Sequence, residues 1–459
     1  MFLNLDKKRK DKVAVIDDSG KSITYGEICD FSALFGRHLP SRSLIFILSE
    51  NRIGSLLGYT SALSNKIVPL ILSAKTESDL VFNLFEQYRP QYLWLPDELV
   101  SSFKGEVVFQ AWDYSLVKTG YPSILLNEAL SLLLPTSGST GSPKLVRHSY
   151  RNIEANADNV CRLFNLTEDE IAMAILPMHY TMGLSVITSH LYAGATILLS
   201  ARSLLDKGFW AMLKEATSFT GVPYSYEILM KMRFTKMDLP KLRTISQGGG
   251  KLSPELFQAL ATYAFEKGKR FIATYGQSEC TARMAYLPAE LALTKTCSIG
   301  YAEPGGKLSI LDKDGHESFS GEAEGEMVYR GENVTLGYAE TIADLMKGDE
   351  NHGVMHTGDL ARRDADGCYF IIGRLKRFLK IFGLRIGLDE VETMIKGQYH
   401  VDCYCKGDDQ KLTILVTDPK MVEVLPGFIE EKTHLFHKNV EVQVVVALLR
   451  NEAGKMINQ

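Results

Sequence analysis

Short apolar runs rich in β-branched and aromatic residues recur through the first 250 residues, among them SLIFIL (43–48), QYLWL (91–95), IAMAIL (171–176), ATILL (195–199) and RTISQG (243–248). Between them lie stretches of helical length. Runs that stay apolar rather than alternating belong to strands covered on both faces, and helical spacers supply the crossovers that parallel strands require. The pattern predicts an α/β chain with crossover units and buried, largely parallel sheets. One spacer is marked at its start: Ser253 can cap, Pro254 suits the first helical position, and Leu256, Leu260, Tyr263 and Ala264 fall on one stripe. From about 307 the texture changes to closely spaced strands with glycine turns (KLSILD, GEMVYRG, CYFIIGR), which predicts a smaller barrel-like or antiparallel subdomain over about 300–375. After Arg374 a basic segment, LKRFLK, leads into IFGLRIG, a helix from near Leu388, and strands at 411–417 and 441–448. A boundary near Lys376 divides the chain into 1–375 and a small α+β part, 376–459.

Composition narrows the function classes. With 51 basic against 55 acidic residues among 459, the formal net charge of −4 gives no general attraction for nucleic acid or an anionic membrane. Hydrophobic residues at 45% and charged residues at 23% supply a core and exclude a disordered or coiled-coil chain. The start, MFLNLDKKRK, carries its charges after its apolar residues, the reverse of a signal peptide. The greasiest stretch, Leu184 to Leu199, is broken by Ser185, His190 and Gly194, so no membrane span is expected. Seven cysteines without a C-x-x-C pair point to reduced thiols and a cytoplasmic location. Cys403 and Cys405 share a strand face and read as strand filler, since no second Cys/His pair completes a zinc site.

The sharpest local signal is Thr136-Ser137-Gly138-Ser139-Thr140-Gly141-Ser142-Pro143-Lys144, directly after the apolar run LSLLL. Hydroxyls, side-chain-free backbone and an ammonium group in one loop suit a polyphosphate, although the spacing is not that of a Walker A loop. A Ser/Gly surface turn is the ordinary alternative. A second segment, Thr274-Tyr275-Gly276-Gln277-Ser278-Glu279, follows the strand-like RFIA. Tyr275 can stack on a purine, and the Glu279 carboxylate can hold Mg²⁺ already bound to phosphates; alone, Glu279 reads as a solvated acid. Gln247-Gly248-Gly249-Gly250 closes another strand, where bare backbone can press against a flat base or simply turn. His356-Thr357-Gly358-Asp359 offers a carboxylate for ribose hydroxyls, or a β-turn.

In this order the segments resemble the acyl-adenylate-forming superfamily of acyl-CoA synthetases, acyl-AMP ligases, peptide-synthetase adenylation domains and firefly-type luciferases. The resemblance spans almost the whole chain: Ile23-Thr24-Tyr25-Gly26-Glu27, Thr136–Lys144, Pro177-Met178-His179, Tyr275–Glu279, Gly325-Glu326 through Gly337-Tyr338, Thr357-Gly358-Asp359, Gly373-Arg374 through Gly383-Leu384-Arg385-Ile386, and Asn451-Glu452-Ala453-Gly454-Lys455. It implies a large N-terminal domain of sheets sandwiched by helices and a small mobile C-terminal domain. By the same resemblance, Thr136, Ser137, Gly138, Thr140 and Lys144 cradle phosphates and Glu279 holds Mg²⁺. Gly248 to Gly250 and Tyr275 flank adenine, while Asp359 and Arg374 hold the ribose. His179 lies near the substrate carboxylate, Lys376 is the hinge, and Lys455 bridges carboxylate and α-phosphate. There are departures: Lys376 stands where Asp is frequent, Leu449 where the last motif has Pro, Ser278 where Thr is usual, and His356 where an aromatic is usual.

The implied reaction is ATP-dependent activation of a carboxylic acid, then acyl transfer to the thiol of coenzyme A or of a carrier protein's phosphopantetheine. No acidic residue occurs from Ile171 to Leu205, so an α-amino acid, whose ammonium needs a counterion, is disfavoured. Met182, Gly183 and Leu184 suggest an apolar wall for a fatty, branched or aromatic acid, or core packing; Tyr224, Tyr226, Ser246 and Tyr286 are further candidates for the pocket. Lys376, Arg377, Lys380 and Arg385 form a basic stretch suited to coenzyme A phosphates or an acidic carrier helix, or a solvated face. An amino-acid adenylation domain, a luciferase-like mono-oxygenase and a degenerate nucleotide-binding interaction protein are the alternatives.

Overall fold

The computed structural model describes residues 1–136, 144–375, 377–381, 384–408, 410–450 and 456. A nine-stranded sheet runs in the order Tyr301–Ala302, Ala285–Leu287, Arg270–Tyr275, Thr244–Gln247, Ser218–Gly221, Ile171–Ala174, Thr196–Leu199, Val13–Asp17, Ser22–Thr24. From Arg270–Tyr275 to Val13–Asp17 every pair in it is parallel. An eight-stranded sheet has the order Tyr338–Ala339, Leu145–Ser149, Leu130–Pro135, Val68–Ser73, Leu44–Ser49, Tyr92–Pro96, Tyr114–Lys118, Glu106–Ala111. Its central pairs are parallel as well. The apolar runs of the sequence are these parallel strands, shifted by a residue or two.

Helices Tyr25–Phe35, Ile53–Ser64, Tyr150–Phe164 and Thr181–Ala193 lie between the two sheets. One core joins Ile28, Leu57, Ile153 and Ile187 of these helices to Ile47 and Trp94 of one sheet and Val15 and Ile197 of the other. Ile53–Ser64 is buried nearly all round, as a helix trapped between two sheets must be, and Gly58 lets the Trp94 indole lie against its backbone. The outer face of the larger sheet carries helices Lys207–Glu215, Pro223–Lys231 and Pro254–Glu266. The last begins as its sequence predicts, with Ser253 Oγ accepting from Leu256 N. Its buried stripe is rotated slightly, so that Phe257 rather than Leu256 faces the sheet.

Residues after 306 form a five-stranded antiparallel sheet, Glu317–Ser318, Lys307–Leu311, Ala323–Arg330, Val354–Arg363, Tyr369–Arg374. The antiparallel expectation holds, but the barrel-like closure does not: Glu317–Ser318 and Tyr369–Arg374 are the two ends of an open order. The smaller C-terminal part packs helices Leu388–Tyr399 and Met421–Thr433 on the three-stranded sheet Cys403–Gly407, Leu412–Val416, Val440–Val444. Cys403 and Cys405 are both buried in that core. The basic stretch is partly neutralised: Arg377 binds Asp389 and, at 2.6 Å, Glu392, one turn apart on the helix, so its charge is spent inside the fold. It bridges to the larger part through Lys396 Nζ to Glu227 Oε1 at 3.5 Å and the Arg450 guanidinium 5.2 Å over the Tyr224 ring. No described helix is long and apolar enough to cross a membrane.

Candidate active site

The parallel strands of the larger sheet end together, and ligands of open α/β sheets bind outside such carboxyl ends. Strand Arg270–Tyr275 delivers Tyr275, whose hydroxyl donates to Asp359 Oδ2. Gln277 Nε2 donates to the same carboxylate oxygen at 3.1 Å and to the Thr357 carbonyl at 3.0 Å. Arg374, on the neighbouring strand, places Nε 3.1 Å from the other oxygen of Asp359. Asp359 itself is buried, whereas the Arg374 side chain is largely exposed. A bulge at Thr357-Gly358 within strand Val354–Arg363 aims the carboxylate: the Thr357 hydroxyl accepts from Asp359 N, and Gly358 takes φ +67. Burial first, and the Asp359 charge second, hold the Tyr275 phenol well above its ordinary value, so it remains a donor. Tyr275, Gln277, Asp359 and Arg374, widely separated in sequence, thus form one polar cluster.

Beside it, Glu279 accepts from the Tyr338 hydroxyl at 2.6 Å, and the same Tyr338 ring lies 5.8 Å from the Lys144 ammonium. A cavity of about 400 Å³ opens here, lined by Glu279, Thr335, Gly337, Tyr338, Asn351 and His356. Lys144 Nζ contacts Glu340 Oε1 at 2.6 Å, both side chains being more than half exposed, a pair worth ~0–1 kcal/mol and readily exchanged for a phosphate. Thr136 N donates to the Lys144 carbonyl at 2.9 Å, so the candidate phosphate loop leaves and re-enters the hairpin Leu130–Pro135 / Leu145–Ser149 through a tied mouth. Ser137, Gly138, Ser139, Thr140 and Gly141, with the hinge Lys376 and the lysine Lys455, lie outside the described residues.

Gly276 and the chain after Glu279 interlock. Thr281 and Ala282 take φ of +53 and +92, a left-handed turn uncommon for residues with a Cβ. A Cβ on Gly276 would overlap the Ala282 carbonyl. Gly276→Ala should therefore shift this turn and cost about 1–3 kcal/mol of stability, read as a lowered Tm. An unchanged Tm would show that the turn yields freely. The Ser278 hydroxyl, on the far side, lies 2.7 Å from Thr181 Oγ1, joining this segment to helix Thr181–Ala193.

The predicted acid pocket separates into two groups. His179 is half-buried on the approach to helix Thr181–Ala193. Met182 packs at Gly248, where an added Cβ would sit 2.7 Å from its sulfur and 2.6 Å from Thr274 Oγ1. Gly249 has φ +76 and faces the Tyr180 hydroxyl, and Gly250 faces Pro223. Gly183 lies under the Leu176 and Pro177 carbonyls, and Leu184 belongs to the core between the sheets. Ser246 is buried, with its hydroxyl 2.8 Å from Thr220 Oγ1. Tyr224 is the exception: it is 43% exposed beneath Arg450, because it sits on the outward side of its helix while Tyr226 turns in and donates to the Ser246 carbonyl at 2.7 Å.

Residue-by-residue reading assigned no role to Tyr338, Tyr180 or Arg283. A Gly-Tyr pair at 337–338 was the signal for the first; for Arg283, it was an arginine inside the otherwise apolar Cys280–Leu287. Arg283 is buried, with Nη1 donating to Ser185 Oγ at 2.8 Å, and burial lowers it to about 10. Nearby, Glu303 is saturated on one oxygen by Asn159, Tyr329 and Asn333, and burial pushes it up to about 8. His148 and His190 are held down to about 3 and 4 by burial.

The signs of these effects oppose each other. The histidines, with folded values below their unfolded ones, withdraw stability as pH falls from about 6.5 toward 4. Glu303, with its folded value raised, withdraws stability as pH rises from about 4.5 to 8. Glu303→Gln, which can keep the accepting oxygen, should remove the alkaline decline in Tm between pH 6.5 and 8 and change little at pH 5. A decline that persists in the variant would assign it to other groups.

A parallel sheet covered on both faces, with Tyr275 at its carboxyl edge bound to the buried Asp359, and a tied loop mouth on the second sheet reached through Lys144, Tyr338 and Glu279, define an α/β protein with a polar site at its strand ends. The chain belongs to the AMP-binding enzyme family, whose profile matches residues 4–339. It is 31% identical over 272 residues to oxalate–CoA ligase of Arabidopsis thaliana, covering 58% of this chain and 52% of that protein. It is 25% identical over 503 residues to medium-chain fatty-acid–CoA ligase of Escherichia coli (strain K12), covering 97% of this chain and 86% of that protein. The match spans about half the length of the oxalate ligase and of two further CoA ligases. Among solved structures, o-succinylbenzoate CoA synthetase of Bacillus subtilis in complex with its acyl-adenylate intermediate shares the fold with a TM-score of 0.78 at 20% identity, over 97% of this chain and 94% of that one.

Proposed function

We propose that the chain activates a carboxylic acid with ATP to an acyl-adenylate and then transfers the acyl group to the thiol of coenzyme A. The observation that carries this reading is the Asp359 cluster: a buried carboxylate set between Tyr275, Gln277 and Arg374, one strand end from Glu279 and the loop mouth. A ribose can exchange its hydroxyls for the donors now on Asp359, while Tyr275 and Gly248 to Gly250 flank the adenine and Thr136 and Lys144 meet the phosphates. Family membership and the CoA ligases among the relatives support the same assignment.

In the first half-reaction a carboxylate oxygen of the acid bonds to the α-phosphorus and the bond to pyrophosphate breaks. Two anions must approach, so the chain has to supply positive charge and fixed orientation there. Lys455 is assigned that charge, His179 the approach of the acid, and Lys144 the leaving phosphates. Glu279 fits a Mg²⁺ that arrives already bound to phosphate: it presents one carboxylate to a roomy polar cavity, and no cluster of three acidic, His or Cys ligands occurs among the described residues to cage a metal by itself. Such an ion screens the phosphate charge.

In the second half-reaction a thiolate bonds to the acyl carbon and AMP leaves, so Lys455 must give way. The division into 1–375 and 376–459, turning about Lys376, answers that need. Coenzyme A is the acceptor favoured by the relatives; a carrier protein's phosphopantetheine presents the same thiol. The seven free thiols suit the reducing cytoplasm. ATP–pyrophosphate exchange over a panel of carboxylic acids tests the reading: exchange dependent on one class of acid and on Mg²⁺ supports it, and no exchange with any acid refutes it.

A further inference from the structure

A second cavity lies deeper, between helix Thr181–Ala193 and the larger sheet. Its walls are Val186, Ser189 and His190 of the helix, Ser218, Thr220, Thr244 and Ser246 of two adjacent strands, and Arg283. Strand residues two apart share a face, so Thr244 and Ser246 point to the side on which Gly248 follows, about 7 Å further along. There the bare Gly248 backbone meets Met182 and Thr274. The cavity is thus the inner continuation of the Gly248 end of the site; Val160, Phe164 and Leu166 make one side of it apolar, while the strand hydroxyls, His190 and Arg283 make the other polar.

We propose that the tail of the acid substrate bears a second carboxylate, bound by Arg283 at this inner end; the inference rests on the acid-activating reading above. Arg283 is 1% exposed, its Nε has no partner, and its hydrogen bond is to the neutral Ser185. Its face rests 5.4 Å from the Phe164 ring, but no carboxylate among the described residues lies within ion-pair distance. Glu303, the acid that acts on it most, makes no ion pair with it, is pushed toward its neutral form by burial and accepts three hydrogen bonds on Oε1. Glu170, the acid on the cavity wall, is bound to Thr217 and, at 2.9 Å, to Arg243; Arg270 is bound to Thr244 and the Phe164 carbonyl. A guanidinium out of water without a counterion is costly, and an incoming carboxylate supplies the missing charge.

A second orphan faces the same space. His190 Nδ1 donates to the Val186 carbonyl at 2.7 Å, leaving Nε2 buried without a partner. With a carboxylate beside it, Nε2 can take up a proton and share it with the second oxygen. The free volume is about 10 Å³, near that of one water molecule, so the walls must give way to admit a carboxylate, and a long alkyl chain has no room. The site therefore selects short diacids over fatty acids.

The test uses the full chain and pyrophosphate exchange with succinate, glutarate and adipate against butyrate, pentanoate and octanoate. The expected result is a kcat/KM at least roughly tenfold higher for one diacid than for the monoacid of equal length, a ratio that Arg283→Met brings to one or below and Arg283→Lys partly restores. Because Arg283→Met empties a buried position, Ser185→Ala, which releases the guanidinium and also the Asn156 Oδ1 that Ser185 donates to, is the second variant; read on folded protein, it should lower the ratio about threefold or more. Preference for octanoate, or equal losses for both acid types in a folded Arg283→Met, would overturn the proposal. If no acid supports exchange, the adenylation reading fails separately. The rise in Tm that glutarate gives the wild type then decides: its loss in Arg283→Met upholds the anion site, and no rise in the wild type ends it.

Discussion

Lys455→Ala is expected to abolish acyl-adenylate formation, by a thousandfold or more, about 4 kcal/mol of transition-state stabilisation. The same variant should still make thioester from a chemically supplied acyl-adenylate, as the proposed order, in which the lysine gives way before the thiol attacks, requires. Lys376→Pro, which fixes φ and removes an N–H at the hinge, should do the reverse. Pyrophosphate release and thioester formation, measured separately on folded proteins, check both. Equal loss of the two half-reactions in each variant would withdraw the separate roles.

The second large effect is expected at Glu279. Its carboxylate is oriented by the Tyr338 hydroxyl and faces the same cavity as His356 and Asn351. Glu279→Gln should lower adenylation more than about a hundredfold, roughly 2.7 kcal/mol, and raise the Mg²⁺ concentration needed for half-maximal rate. Tyr338→Phe, which frees the carboxylate without removing it, should cost far less and leave the Mg²⁺ requirement in place. A Glu279→Gln protein with wild-type Mg²⁺ dependence would show that the metal is held by other groups.

Much of the parallel architecture was legible, since an apolar run between helical spacers has few other uses. Thr244–Gln247 and Leu44–Ser49 lie where their runs predict, because burial on both faces leaves its mark on every residue. Openness of the antiparallel sheet was not legible: strand texture records which residues pair and twist, but closure depends on edges meeting in space. The Tyr275, Gln277 and Asp359 segments could each be picked out, yet only folding brings the Gln277 amide and the Tyr275 hydroxyl onto one carboxylate oxygen. Arg377 misled for a related reason: a basic string in sequence becomes an internal ion pair once Asp389 and Glu392 face it from one helix. Arg283 was missed because its one local mark, a charge inside the largely apolar Cys280–Leu287, does not tell a surface arginine from one enclosed between helix and sheet.

The slender polar bridge between the two parts of the chain has a consequence for turnover. Lys396 meets Glu227 at 3.5 Å while holding Asp402 of its own part at 2.7 Å, and such a long, half-buried pair weakens as the Debye length shortens. The Arg450–Tyr224 stacking contact, being less purely coulombic, survives added electrolyte better. If the C-terminal part turns about Lys376 as proposed, ionic strength controls how long it dwells in this orientation. Raising salt should shorten that dwell and change the rate of whichever half-reaction waits on it, with no residue of the nucleotide site altered.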